Sequence, residues 1–199
     1  MENTSIERHA WIELALLELR PIFESAHYPM PENIRLSIGF PKGGGGRSKA
    51  IGQAWSHTTV TDSQAELFIS PELDNGPQII GVIAHEAVHA TVGNECGHKG
   101  PFRKCALAMG LTGKMTATTN GPAMEAFAAD FIKRHGPYPA GRIDYSTRKK
   151  QGTRMIKCEC REPHCGYIAR TTRKFIEQAG APLCPCNGKV MASEYIKTV

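Results

Sequence analysis

Residues 78–92 are apolar on almost every face that a helix would present, with Ile79, Ile80, Val82, Ile83, Ala84, Ala87 and Val88 spread around the axis. A helix of that kind is stable only when other elements cover it on all sides, so it predicts a layered domain built around this segment. The preceding Ser70-Pro71-Glu72-Leu73-Asp74-Asn75-Gly76-Pro77 breaks the chain and supplies helix-start chemistry, with a proline near the first helical position. Three polar side chains, His85, Glu86 and His89, interrupt the apolar surface. Burying them costs several kcal/mol unless they are paired or bind a metal.

His85-Glu86-Ala87-Val88-His89 is an HExxH sequence. Four residues make about one helical turn, so both imidazoles point the same way and can grip one ion. Glu86 is turned by roughly 100° from its neighbour and sits beside the ion. Zinc lowers the pKa of a bound water toward about 7 and polarises a carbonyl, and a carboxylate there can take the water's proton. The pattern predicts a zinc-dependent peptidase with Glu86 as the catalytic base. A catalytic zinc takes a third protein ligand and leaves one position open. His98, after a short loop, is the favoured candidate, and Glu125 on a later helix is the rival. The HExxHxxGxxH pattern is not met, because its last position is Glu95.

Around this segment the apolar spacing predicts a helix over residues 5–24, with Ile6, Trp11, Leu14, Leu17 and Leu19 inward and its end at Pro21 or soon after. Strands are expected at 34–40, 50–56 and 65–69, and helices at 102–109 and 122–134. The four glycines 43–46 read as a hairpin loop. The Walker phosphate-loop pattern fails there, since Lys49 follows a serine and Ala50 stands where a hydroxyl is required. The expected architecture is α+β: helices plus a small, mostly antiparallel sheet in residues 1–141, a basic linker at 142–154, and a small module at 155–199.

That last module carries five of the seven cysteines. An odd number, clustered, suits metal better than disulfides. Cys160-x4-Cys165, then 18 residues, then Cys184-Pro185-Cys186 has the layout of a ribbon whose two knuckles clasp one structural zinc through four thiolates. Cys158 competes with Cys160, and His164 or Asn187 also stand at ligand-like positions. Cys96 and Cys105 read as small buried apolar side chains. Two zinc ions are expected in all, one catalytic and one structural.

Charge divides the chain in the same way. Residues 1–141 hold 12 Lys/Arg and 14 Asp/Glu, a net of −2, whereas 142–199 hold 12 and 5, a net of +7. Arg148, Lys149, Lys150 and Arg154 lead into the ribbon, and Arg170, Arg173 and Lys174 lie between its knuckles. With Tyr145, Tyr167 and Phe175 nearby, such a band suits salt-sensitive, sequence-independent contacts to nucleic acid. The polar, acidic first residues and the lack of an apolar run of about 18–20 residues predict a cytoplasmic protein with no membrane span.

At residues 81–102 and 158–186 the chain resembles the SprT-like family, which includes the Spartan proteases. That family joins HExxH to a Gly-His-Gly-x-x-Phe-like element supplying the third histidine. Here Lys99 stretches the element into Gly97-His98-Lys99-Gly100-Pro101-Phe102. The likeness runs from about residue 34 to 191. It implies a zincin-like metallopeptidase fold, an appended zinc ribbon as in bacterial and phage members, and protein substrates on or crosslinked to DNA. It also implies residence inside the cell, nucleoid-associated or in host cytoplasm.

Overall fold

The computed structural model describes residues 7–41, 50–144 and 155–193. The chain divides into two compact units, Met1–Thr147 and Arg148–Val199, so the division falls inside the stretch expected as a linker. Ile143 still donates its backbone N–H to Pro71 O at 2.8 Å, which ties the start of that stretch to unit 1.

Unit 1 is organised by the apolar helix. In chain order it contains α1 (Arg8–Ser25), β1 (Ile34–Ile38), β2 (Gly52–Trp55), β3 (Ala65–Ile69), α2 (Gly76–Val92), α3 (Gly100–Ala108), β4 (Leu111–Lys114), β5 (Ala117–Asn120) and α4 (Pro122–His135). The Asn75 side chain caps α2 by accepting from Gln78 N, and Pro77 occupies the first turn. Packed on α2 are α1, α3, α4, β2, β3 and β5, which accounts for its lack of a polar face.

The mixed α+β content agrees with expectation, and the details correct it in several places. The helix α1 ends at Ser25, one residue past the expected range, and carries Pro21 inside it. Proline removes only the N–H that would bond Leu17 O, and Leu17, expected inward, is 59% exposed, so solvent can satisfy that carbonyl. The inward face of α1 is instead Trp11, Ile12, Ala15, Leu16, Leu19 and Phe23. The sheet has order β1-β3-β2 and is evenly mixed, with β1 parallel and β2 antiparallel to β3. Since β2 is the return stroke between them, β1 and β3 must run the same way. The hairpin β4–β5 was not expected, because Leu111-Thr112-Gly113-Lys114 and Ala117-Thr118-Thr119-Asn120 carry almost no apolar alternation.

Unit 2 contains β6 (Met155–Glu159), β7 (Ile168–Thr172), a short α5 (Arg173–Ala179) that the sequence reading did not anticipate, and β8 (Ala192–Ser193). Its sheet has order β7-β6-β8, all antiparallel. Among the described residues no helix is long and apolar enough to cross a membrane.

Candidate metal centres

His85 and His89, one turn apart on α2, turn their Nε2 atoms toward the same point. The loop after α2 brings in the third imidazole. Gly93 ends the helix at φ +87°, its N–H bonded to His89 O, and Gly97 at φ +54° donates to Asn94 O. These left-handed positions favour glycine and fold the chain back within a few residues. His98 Nε2 then lies 3.2 Å from both His85 Nε2 and His89 Nε2. Three nitrogens bound tetrahedrally at about 2.0–2.1 Å stand about 3.3 Å apart, so the donor set fits one ion. Glu125 lines the same cleft from the first turn of α4, outside this three-histidine cluster.

A fully buried Phe102 forms the floor beneath the rings, its centroid 4.9 Å from His85, 4.4 Å from His89 and 4.8 Å from His98. His85 Nδ1 lies 2.8 Å from Thr118 Oγ1 on β5. Burial pushes His85 down to about 4, helped by the His98 ring. It pushes His89 down to about 3, with His85 and His98 adding to the effect, and lowers His98 as well. The imidazoles are therefore neutral at neutral pH, the form that offers a lone pair to a metal.

Glu86 is buried, and burial raises its carboxyl to about 8 in the metal-free protein. It is held against β2. A β-carbon built on Gly52 would meet Glu86 Oε1, and would stand 2.6 Å from Val82 Cγ1 and 2.9 Å from Glu86 Cδ. Only glycine lets the strand approach this closely. Above the rings opens a cleft of about 780 Å³, walled by Gly52, Gln53 and Ala54 of β2 on one side and by Thr118 and Asn120 of β5 on another. Sequence reasoning missed Gly52, Thr118 and Asn120. Only the glycine in a strand was a usable signal, since such a residue marks close backbone approach.

In unit 2, Cys160, Cys165, Cys184 and Cys186 converge. The sulfurs lie 3.8 Å (160–186), 3.5 Å (165–184) and 3.3 Å (184–186) apart. Four thiolates around a tetrahedral ion at about 2.3 Å stand about 3.8 Å from one another, so this cluster can also hold a metal ion. Between Cys158 and Cys160 the structure brings Cys160, one residue beyond the end of β6, into the cluster, while Cys158 within the strand is fully buried in the small core with its thiol raised by burial. Cys105 is likewise an inert buried thiol, pushed up to about 12, while Cys96 is only half-buried and donates to Gly93 O at 3.3 Å.

Of the expected nucleic-acid contacts, Arg148, Lys149, Lys150 and Arg154 lie outside the described residues, as does Tyr145. Arg170, Arg173 and Lys174 are exposed. Arg173 pairs with Glu177 at 2.8 Å, which reduces its availability to phosphate. Arg170 stands directly opposite Lys157 across the β6–β7 ladder, and Lys157 pairs with Glu159. Tyr167 and Phe175 expose their rings. Comparison of the chain with protein-family models, with curated proteins and with solved structures finds no match, so the reading of both centres rests on their own geometry.

Proposed function

We propose that this chain is a zinc-dependent endopeptidase of the SprT-like kind, with a zincin-like domain at residues 1–141 and a zinc ribbon at 155–199. The observation that carries the reading is the convergence of His85, His89 and His98 beside a buried Glu86 on the wall of an open cleft. A zinc ion held by the three imidazoles would leave one position open, lower the pKa of a water toward about 7 and polarise the scissile carbonyl.

The chain's own residues supply the remainder. Glu86 accepts a proton from the attacking water and returns it to the leaving amine as the C–N bond breaks. Its ionised form, needed for that task, is favoured beside a divalent cation. The edge strand β2 lines the cleft, which supports an extended peptide running along it. The four thiols would take a second, structural zinc. The exposed cations of unit 2 support salt-sensitive, non-sequence-specific contacts to DNA, and the corresponding substrates are proteins on or crosslinked to DNA, met in the cytoplasm.

Glu86→Gln tests the reading, because it keeps the shape and removes the base. The variant should retain two zinc ions per chain and its fold. Its cleavage of a DNA-bound protein should fall by about 10²–10⁴-fold. Wild type and variant equally inert with DNA present would favour a DNA-associated regulatory protein. Turnover confined to non-peptide substrates would favour another class of hydrolase.

A further inference from the structure

The β4–β5 hairpin does more than wall the cleft. Along β5 the side chains alternate, with Ala117 and Thr119 exposed and Thr118 and Asn120 half-buried. Both half-buried residues meet α2. Asn120 Nδ2 donates to Pro77 O at 2.8 Å, and its amide lies over Gly81, where an added β-carbon would meet Oδ1 and stand 3.1 Å from Cγ. Thr118 is two residues earlier and bonds His85, four residues after Gly81. Two strand residues span about 6.7 Å and four helical residues about 6 Å, so the two contacts keep step. Asn120 is a pin that sets where Thr118 falls.

The consequence lies in the imidazole. His85 Nε2 faces His98 Nε2 at 3.2 Å, and to take a metal there it must keep its lone pair, which leaves the hydrogen on Nδ1. In that tautomer the N–H donates to Thr118 Oγ1, 2.8 Å away. His89 offers a contrast within the same site: its Nδ1 is buried with no hydrogen-bond partner among the described residues, and its ring is oriented by packing on Phe102 and against the His85 and His98 rings.

We propose that Thr118 is a positioning residue that fixes the tautomer and ring orientation of His85, so that the three-histidine centre is preset for a divalent cation before the ion arrives. The inference rests on reading that centre as a metal site. Because the hydroxyl comes from a hairpin that also lines the cleft, metal affinity and the shape of the cleft are tied to the same element.

The test is zinc affinity of the full chain, measured by competition with a chelator, with the four-cysteine site as an internal reference. Thr118→Val keeps the β-branched shape and removes the acceptor; Thr118→Ser keeps the acceptor and removes the methyl group. The valine variant should bind zinc at the histidine centre about 10–100-fold more weakly, while the serine variant stays near wild type. Metal-free Thr118→Val should still fold and melt cooperatively. Unchanged affinity in Thr118→Val overturns the proposal, and so does equal weakening in both variants, which would assign the effect to packing. If wild type carries one zinc per chain and Cys184→Ser removes it, the histidine centre binds no zinc and the metal-site reading falls together with this one. That outcome is separable from a loss seen only in the Thr118 series.

Discussion

In unit 1, twenty-six buried side chains among the described residues form one cluster around α2, and the three imidazoles hang from a frame that packing already holds. In unit 2, among the described residues, the buried cluster is Cys158, Ile176, Cys184 and Met191, and one of these is itself a member of the thiol cluster. The difference is one of what comes first. A core of the first size can exist without an ion and present a preformed site to it. A core of four residues falls short of offsetting the entropy of ordering the chain, so on the proposed reading the ion and the fold of unit 2 would form together.

The largest expected effect would break this contrast if it failed. A structural zinc held by thiolates contributes about 10–16 kcal/mol to folding in modules this small. Chelation, or Cys184→Ser, should therefore abolish amide protection throughout residues 155–193 while leaving the protection of α2 in place. Hydrogen exchange read by mass spectrometry distinguishes the two units in one sample. Retained protection in unit 2 without metal would mean that its fold has another source of stability.

A smaller effect sharpens the account of unit 1 without metal. Burial raises the Glu86 carboxyl from its ordinary 4.5 to about 8, so the folded state prefers the protonated form. The associated stability is fully present below pH 4.5 and is lost as pH rises toward about 8. The histidines act in the opposite sense: with His85 and His89 lowered to about 4 and about 3, their contribution is complete above 6.5 and is lost as pH falls through those values. Metal-free Glu86→Gln should thus gain on metal-free wild type across pH 4.5–8, reaching roughly a few kcal/mol, and the two should converge in acid. Denaturant melts at stepped pH measure the difference; a constant offset would mean that Glu86 is solvated in the folded protein.

The smallest effect concerns the charge asymmetry between the units. Arg170 is exposed on β7 and faces Lys157, whose charge is already paired with Glu159, so Arg170 is the cation of this pair left to meet a phosphate. Arg170→Gln should reduce the slope of log affinity for DNA against log salt by about 1. A matched substitution of Arg103 on α3 should leave the slope unchanged. Equal effects at both positions would assign DNA binding to general charge rather than to unit 2.

Much of this molecule is readable before any coordinates. The apolar surround of α2 follows from residues 79–88 alone, because a helix with no polar face has to be enclosed. HExxH follows from helical geometry, since positions four apart share a face whatever surrounds them. The crowding of Cys160, Cys165, Cys184 and Cys186 is local enough to suggest the second centre. The end of α1 was legible to within one residue, and what its spacing did not show is that Pro21 stays inside the helix, with Phe23 buried beyond it. The hairpin was invisible because its threonines and glycine lack the alternation by which strands are recognised.

Local patterns thus determined which residues can bind metal, where the helix that carries them lies and which part of the chain is basic. Tertiary structure alone decided that His98 rather than Glu125 joins the cluster, that Cys158 turns inward, that Gly52 admits Glu86 and that Thr118 reaches His85. Each of those outcomes depends on two segments meeting in space. Such meetings are governed by how a loop turns and how closely two backbones approach, and neither quantity is written in the spacing of residues along one chain.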